Sequence, residues 1–305
     1  MDKILIIYHF PCPDGLASAW CFHHFESILF TNVQIDYEPR NYDQPLSLDK
    51  YKGYKDIYIV DFSFDAMQLL DLSLQVQRKV ILIDHHQTAS ENLYSFRKNC
   101  PHMIDIHLDM NRSGCQMVWD YLTNKCNRWS TKRPWFIDYI ADRDLWKWKK
   151  PYSKEVNKVL LLDHWVTFKK LDELVSFNSD KLQEFIAKGK DYVYIENKYI
   201  RKLAFRTSIG TFLNKRVYFV NSSILVSELG NYLLENDKHN IDYAIIWRYN
   251  QEYSRYEVSV RSKKNADSTI ICKHFNGGGH KNAAGFSTDQ NILSMFTWTK
   301  NYSFY

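Results

Sequence analysis

The chain alternates short apolar runs with longer stretches of helical spacing, and this alternation predicts its elements. Runs rich in Ile and Val predict buried strands at residues 4–8, 57–60 and 80–83. Apolar positions that recur every three or four residues predict helices at residues 16–29, 65–75 and 114–124. Continuous apolar strands separated by helices are typical of a parallel sheet covered on both faces. We therefore predict that the first part of the chain is an α/β domain with a doubly wound parallel sheet.

A long helical region separates this domain from a second block of strands. The pattern is helical throughout residues 151–205 and breaks at Thr207-Ser208-Ile209-Gly210. Further strands are predicted at residues 216–220, 243–249 and 256–261, with a helix at residues 227–235. We therefore expect a first domain over residues 1–178, a helical connector over residues 179–214 and a smaller α/β domain over residues 215–305.

The composition agrees with two folded domains. The chain has 305 residues, of which 16% are aromatic, 10 are Gly and 7 are Pro, and this excludes a collagen-like or largely disordered protein. The net charge of +5 permits an anionic substrate but does not require nucleic acid. Nothing in the sequence indicates an oligomer.

The sequence favours a cytoplasmic location. No apolar stretch approaches the roughly 20 residues of a membrane span, and the start lacks the apolar region and cleavage site of a signal peptide. The cysteines form no CxxC pair and show no disulfide framework spacing, so reduced thiols are the simpler interpretation. They are Cys12, Cys21, Cys100, Cys115, Cys126 and Cys272.

Metal-binding residue types follow three of the predicted strands. The first strand leads into a segment that contains His9, Cys12 and Asp14, the second is followed by Asp61, and the third by Asp84-His85-His86. Because ligands collect beyond the carboxyl ends of parallel strands, these side chains are expected to converge. Carboxylates with imidazoles suit Mn²⁺ or Mg²⁺ and also accept Zn²⁺ or Fe²⁺. Two such ions that share a carboxylate would bind a phosphate and lower the pKa of a water molecule.

Each of these motifs also has a purely structural interpretation. Asp14-Gly15 alone most often marks a turn, and Asp61 is as well placed to cap a helix as to bind a metal. Paired imidazoles at His85-His86 have little structural use after a buried strand, so here the metal interpretation is favoured. One edge of one sheet explains all three motifs together.

In this order, the motifs resemble those of the DHH-family phosphoesterases that carry a C-terminal DHH-associated domain. This family contains nanoRNases, cyclic-dinucleotide phosphodiesterases and the RecJ exonucleases. Its first four motifs resemble, in turn, the His9–Asp14 segment, Asp61, Asp84-His85-His86, and Tyr139-Ile140-Ala141-Asp142-Arg143-Asp144-Leu145-Trp146. The segment Asn111-Arg112-Ser113-Gly114-Cys115-Gln116-Met117-Val118-Trp119 resembles the helix start that follows the family's third motif. The segment Gly277-Gly278-Gly279-His280-Lys281-Asn282-Ala283-Ala284-Gly285 resembles the glycine-rich signature of the associated domain.

The resemblance implies a role for each matching residue. One divalent ion would be held by Asp14, Asp61, His85 and Asp142. Asp61 would bridge to a second ion, whose other ligands would be His9 and Cys12. His86 would face the substrate phosphate, and Asp84 would orient His85. Asp142 is preferred to Asp144 as the ligand, with Asp144 expected to form a salt bridge.

Cys12 departs from the commoner family pattern, which has a carboxylate at this position. A thiolate is a soft ligand that favours Zn²⁺ or Fe²⁺, whereas the rest of the set favours Mn²⁺. Three interpretations stay open: Cys12 binds the second ion, it leaves that site weak, or it is a small buried residue. The sequence therefore leaves the choice between one and two ions open.

The glycine run resembles a substrate-binding loop. Consecutive glycines let a backbone approach a phosphate closely, although they also occur in flexible turns. The resemblance assigns the nucleotide end of the substrate to Arg261, Ser262, Gly277, Gly278, Gly279 and His280. Inorganic pyrophosphatases of the wider superfamily carry a different C-terminal domain, so this run favours a nucleotide substrate.

Two further features have a structural interpretation that is favoured over binding. The basic residues between Asn197 and Arg216 are expected to form a solvated helix face rather than a nucleic-acid surface. Trp135, Trp146 and Trp148 are expected to pack in a core rather than stack on bases.

Together these features predict a metal-dependent phosphodiesterase with its active site in an interdomain cleft. The expected substrates are short single-stranded oligonucleotides or linear or cyclic dinucleotides, which it would hydrolyse to mononucleotides. One alternative is a nucleotide phosphomonoesterase or polyphosphatase. The other is a nucleotide- or RNA-binding module without turnover, which the intact Asp14, Asp61, His85 and Asp142 argue against.

Overall fold

The computed structural model describes residues 1–41, 44–99, 104–126 and 132–299. Cys100 lies outside these residues. The chain divides into two units, Met1–Val193 and Tyr194–Tyr305.

The first unit is built on a parallel sheet of five strands. They are β1 (Asp2–His9), β2 (Val33–Arg40), β3 (Asp56–Val60), β4 (Lys79–Asp84) and β5 (Ile104–Leu108). All neighbours are parallel, and the order across the sheet is β2-β1-β3-β4-β5. The chain therefore reverses its direction of winding between β1 and β3, which is where open α/β sheets bind their ligands.

Helices cover both faces of this sheet. They are α1 (Pro13–Leu29), α2 (Ala66–Ser73), α3 (Gln87–Asn99), α4 (Gly114–Lys125), α5 (Trp135–Asp144), α6 (Ser153–Leu162), α7 (Phe168–Val175) and α8 (Ser179–Ala204), with a 3₁₀ turn at Leu48–Tyr51. Ile4 and Ile6 of β1 lie in one apolar cluster, whereas Leu5 and Ile7 lie in a second one on the opposite face. Because both faces are buried, the positions from Ile4 to Tyr8 in the middle of the strand are all hydrophobic. The predicted doubly wound α/β fold is confirmed.

The second unit contains a mixed sheet of seven strands. They are β6 (Ser208–Phe212), β7 (Lys215–Asn221), β8 (Tyr243–Asn250), β9 (Arg255–Ser262), β10 (Gly278–His280), β11 (Ala283–Thr288) and β12 (Phe296–Trp298). Their order is β10-β11-β9-β8-β7-β6-β12, and among these pairs only β7 and β8 are parallel. The helices of this unit, besides the end of α8, are α9 (Val226–Glu235), α10 (Thr269–Lys273) and α11 (Ile292–Met295).

The predicted connector, residues 179–214, is shared between the two units. Helix α8 crosses from the first unit into the second, since the division falls after Val193. Strand β6 then pairs with β7 and β12, so the second sheet begins before residue 215. The pattern missed this strand because it is short and contains Gly210. Among the described residues, no helix is both long and apolar enough to cross a membrane.

Candidate metal centre

The turn from β1 into α1 places three metal-binding side chains within six positions of the chain. His9 ends β1, Cys12 precedes the first helical residue, and Asp14 lies in the first turn of α1. Nδ1 of His9 lies 3.5 Å from Oδ2 of Asp61. Ligand atoms of His9, Cys12 and Asp61 all lie within 4.8 Å of one another, a spacing that one ion can bridge.

Asp61 directly follows β3 and lies between the other ligands. Its side chain is buried, and its Oδ1 lies 3.0 Å from Nε2 of His85. Its backbone is left-handed, with φ of 54°, a conformation that Asp adopts more readily than most residues. Burial works to raise the pKa of Asp61, but the imidazoles of His85 and His9 outweigh it and hold the pKa well below the usual range.

The two histidines after β4 are oriented differently from the prediction. Oδ1 of Asp84 accepts a hydrogen bond from Nδ1 of His86 at 2.7 Å and another from the backbone N–H of His85 at 2.7 Å. Asp84 therefore orients the ring of His86, and the expectation that it orients the ring of His85 is corrected. The ring of His85 instead directs Nε2 toward the carboxylates of Asp14, Asp61 and Asp144, at 3.5, 3.0 and 3.4 Å.

Asp14 is held by the start of helix α4. The backbone N–H groups of Gly114 and Cys115 donate to its two carboxylate oxygens at 2.6 and 2.9 Å. A Cβ at Gly114 would lie 2.8 Å from Cβ of Asp61, so only glycine allows α4 to approach this closely. From its sequence, the Gly114 segment is recognisable only as a helix start, and its role in the site comes from this close approach. The helix N-terminus stabilises a carboxylate here.

The last ligand of the predicted set needs correction. Asp142 turns away from His85, and its carboxylate accepts hydrogen bonds from the backbone N–H groups of Lys149 and Lys150 at 3.0 and 3.1 Å. Asp144 contacts His85 instead, and its ligand atom groups with those of Asp14 and His85. Asp144 thus replaces Asp142 as the candidate ligand, while Asp142 shapes the loop that follows α5.

The electrostatics of the centre favour a cation. Burial, followed by the charges of Asp61 and Asp144, raises the pKa of Asp14 to about 8. Burial also raises the pKa of Asp144. Oδ2 of Asp61 and Oδ2 of Asp144 are buried and accept no hydrogen bond from the described residues. Carboxylates that repel one another and keep oxygens unsatisfied are suited to a divalent ion, so the donor set fits a metal.

His85 and His86 are held in their charged forms by these carboxylates. Burial works to lower the pKa of His85, but the hydrogen bond to Asp61 and the charges of Asp144 and Asp14 raise it to about 11. Burial likewise opposes charge on His86, but Asp84 raises its pKa to about 9. His85 thus occupies the position of a cation among the carboxylates, and His86 lies beside it with its ring hydrogen-bonded to Asp84.

Two of the three consecutive glycines of the second unit lie in a strand, and Gly277 immediately precedes it. Gly278, Gly279 and His280 form β10, which pairs with Gly285, Ala284 and Ala283 of β11. A Cβ at Gly277 would lie 2.3 Å from the carbonyl oxygen of Gly285, and Gly279 has φ of 136°. The glycines therefore allow two strands to pack closely. Strand β10 is an edge of the described sheet, so its outer side has no partner strand there.

Arg261 and Ser262 lie at the end of β9, which is separated from the edge strand β10 by β11 alone. Nη2 of Arg261 donates to Oγ of Ser227 at 2.9 Å, and its side chain packs against Gly230. Oγ of Ser262 accepts hydrogen bonds from Ser268 and Asn282 at 3.0 Å each. The hydroxyl of Ser262 is thus engaged within the unit and ties β9 to the segment before β11.

Trp135, Trp146 and Trp148 were expected to pack in a core, and Trp135 does pack against the apolar core of the first unit. It packs against Phe136, Phe177 and Phe185, and its Nε1 donates to the carbonyl oxygen of Leu174 at 2.9 Å. The basic residues at the end of α8, among them Lys198, Arg201 and Lys202, are exposed.

Known proteins resemble this chain over most of its length. An uncharacterized protein of Acanthamoeba polyphaga mimivirus is 28% identical over 302 residues, covering 93% of this chain and 67% of the relative. Oligoribonuclease NrnB of Bacillus subtilis (strain 168) is 25% identical over 234 residues, covering 72% of this chain and 55% of that protein. The chain thus spans about two thirds of the first relative and about half of the second.

Solved structures share the fold. RecJ from Thermus thermophilus, determined in complex with Mn²⁺, superposes with a TM-score of 0.54 at 14% identity, over 94% of this chain and 50% of that one. Residues 3–143, which carry most of the candidate metal centre, match the DHH family, N-terminal domain, and this part of the chain therefore belongs to that family.

Proposed function

We propose that this protein is a metal-dependent phosphodiesterase that hydrolyses short single-stranded oligonucleotides, or linear or cyclic dinucleotides, to mononucleotides. The observation that carries the proposal is the convergence of two ligand groups on Asp61. One group contains His9 and Cys12, and the other contains His85 with the carboxylates that surround it. Both groups lie beyond the carboxyl ends of β1, β3 and β4.

The first ion would be held by Asp14, Asp61, His85 and Asp144, and the second by His9, Cys12 and Asp61. A divalent ion in this position supplies positive charge that neutralises phosphate oxygens and lowers the pKa of a water molecule. The oxygen and imidazole ligands favour Mn²⁺, whereas the thiol of Cys12 would bias its own position toward Zn²⁺ or Fe²⁺.

His86 is proposed as the catalytic residue that contacts the phosphate. Its ring is partly exposed, and Asp84 holds Nδ1 at 2.7 Å, so the ring would meet a substrate in a fixed orientation. Because Asp84 raises the pKa of His86 to about 9, this side chain is protonated at neutral pH. It would donate a hydrogen bond to a phosphate oxygen and supply a proton to the leaving oxygen.

The second unit is proposed to bind the rest of the nucleotide. Support comes from the glycines of β10 (Gly278–His280), which lie at the edge of the described sheet, and from the neighbouring Gly277. Arg261, Ser262 and His280 complete the proposed binding set. The relative named an oligoribonuclease supports a nucleotide substrate over an inorganic one.

The test is hydrolysis of a substrate panel with Mn²⁺, Mg²⁺ and Zn²⁺ in turn. The panel contains short RNAs, short DNAs, linear and cyclic dinucleotides, pyrophosphate, polyphosphate and 3′,5′-bisphosphate nucleotides. We expect dinucleotides or short RNAs to be cleaved fastest, and His85→Ala protein measures the background. Faster cleavage of pyrophosphate, polyphosphate or the bisphosphate nucleotides would contradict the proposal. Tight nucleotide binding without cleavage by metal-loaded protein would favour the binding module.

A further inference from the structure

The segment that follows Asp144 is unusually rich in aromatic and basic residues. Residues 146–154, here called the tryptophan–lysine loop, contain no acid. Its aromatic residues are Trp146, Trp148 and Tyr152, and its lysines are Lys147, Lys149, Lys150 and Lys154. Aromatic rings interleaved with cations are the composition that binds single-stranded nucleic acid, through base stacking and phosphate attraction.

The loop is tied firmly to the helix end that carries Asp144. The carbonyl oxygen of Asp142 accepts hydrogen bonds from the backbone N–H groups of Lys147 and Trp148 at 2.8 and 3.3 Å. The carboxylate of Asp142 binds the next two backbone N–H groups of the loop. Since Trp146 is two residues beyond Asp144, their Cα atoms are at most roughly 7.6 Å apart. The start of the loop therefore lies beside the candidate metal centre.

Ordinary core packing does not account for Trp146 and Trp148. Neither belongs to an apolar cluster of the described residues, unlike Trp135. Both have left-handed backbones, with φ of 52° and 50°, a conformation that bulky residues rarely adopt and that often marks a functional site. Nε1 of Trp148 is buried and has no acceptor among the described residues, although a packed indole normally finds one.

The two rings form a corner rather than a stack. Their centroids are 4.9 Å apart, and their planes meet at 77°. A flat base could lie against one ring while its edge meets the other. The ammonium group of Lys154 lies 5.7 Å from the centroid of Trp148, which adds positive charge beside this corner.

We propose that the tryptophan–lysine loop binds a nucleobase of the substrate, in the nucleotide next to the phosphate held at the metal centre. This inference rests on the proposed nucleotide substrate and adds the part of the substrate that the chain recognises. Stacking on Trp146 and Trp148 selects single-stranded nucleotides, whose bases are accessible, and tolerates different bases because each has a π face.

The test measures binding, so it does not depend on turnover. The probes are a diadenosine dinucleotide with a non-hydrolysable methylphosphonate link and the same backbone without either base, titrated calorimetrically against the full chain in manganese buffer. Trp148→Leu keeps an apolar side chain without a ring, and Trp148→Phe keeps a ring. We expect Trp148→Leu to raise the Kd of the intact probe at least about fivefold, the lower end for loss of one stacked base.

Further results separate this inference from simple damage to the protein. Trp148→Phe should stay within about twofold of wild type, and neither variant should change binding of the base-free probe. Trp298→Phe, at an exposed tryptophan of β12, is the control for loss of an arbitrary indole. Equal losses for both probes, or wild-type protein that binds both probes equally, overturn the inference. Cleavage without base dependence would refute this inference alone, whereas base-dependent binding without cleavage would refute only the proposed function.

Discussion

The backbone N–H of Gly114 donates a hydrogen bond to Oδ2 of Asp14 at 2.6 Å, although a hundred residues separate the two in the chain. This contact fixes the carboxylate that follows β1 against the helix that follows β5. The same glycine lies against Asp61, so one backbone position supports two candidate ligands.

Gly114→Ala is expected to disturb the metal centre without unfolding the first unit. The new Cβ would lie 2.8 Å from Cβ of Asp61 and 3.1 Å from Oγ of Ser18, so Asp61 or the helix must shift. Displacements below 1 Å are enough to reduce a rate substantially, and we expect at least a tenfold loss of activity with weaker Mn²⁺ binding. Activity and metal stoichiometry measure this. Gly53→Ala is the control for backbone strain without a clash, because Gly53 has φ of 90° and nothing lies within 4 Å of its Cβ position. Retention of full activity by Gly114→Ala would refute the packing argument.

His85→Ala is expected to remove hydrolysis and bound metal together. His85 lies 3.0 Å from Asp61 and is buried among carboxylates, so its loss removes a ligand and leaves their charges unopposed. Activity should fall more than tenfold, a change of about 1.4 kcal/mol in the barrier. Wild-type protein should unfold at a higher temperature with Mn²⁺ than with EDTA, and the variant should lose this difference. His107→Ala, on β5 beside Asp105, is the matched control and should behave as wild type.

The two acids at the end of α5 should give opposite results. Asp144→Asn removes a candidate ligand, so activity and metal binding should fall at least tenfold with little change in unfolding free energy. Asp142→Asn replaces a carboxylate that accepts two backbone hydrogen bonds, and it should lower the unfolding free energy by about 1–3 kcal/mol while the metal stays bound. Metal analysis and denaturant unfolding of both variants decide between them. The reverse pattern would restore Asp142 as the ligand.

Cys12 should determine the metal preference of one ion site. Its side chain is partly buried near Asp61, Asp144 and Asp14, and loss of solvation together with these charges raises the pKa of Cys12 well above its usual range. A thiolate there needs a bound cation, so Cys12→Asp should shift the most activating metal toward Mn²⁺. Cys12→Ser should weaken one ion and leave the other in place. If the ranking of metals is the same in all three proteins, Cys12 is a packed residue and not a ligand.

Substitutions in the second unit should affect nucleotide binding and spare the metal. Arg261→Ala or His280→Ala is expected to raise KM for dinucleotides several-fold, because these side chains are proposed to hold phosphate away from the ions. Arg261 also bonds Ser227, so Ser227→Ala is the control for loss of that contact alone. Steady-state kinetics and metal content are measured together. Loss of bound metal in either variant would assign these residues to a different site.

Much of the first unit follows from the pattern of the sequence. The central strands β1, β3 and β4 each contain an uninterrupted hydrophobic run because helices cover both faces, and such runs are recognisable without any tertiary information. Strands β2 and β5 were missed because they form the two edges of the sheet and are only partly buried. Charged residues interrupt β2, which also contains Pro39.

The candidate site also has one part that the residue pattern predicts and another part that depends on tertiary packing. The order of residues along the chain sets which residue types follow each central strand, and parallel strands must bring His9, Asp61 and His85 to one edge. The choice between Asp142 and Asp144 is made by tertiary packing, because residues two apart on a helix point about 200° apart around its axis and one alone can face the centre. Which one does so depends on how α5 packs. The conformation of the glycine run likewise depends on the close approach of Gly277 to Gly285 of β11, a contact that no local pattern contains.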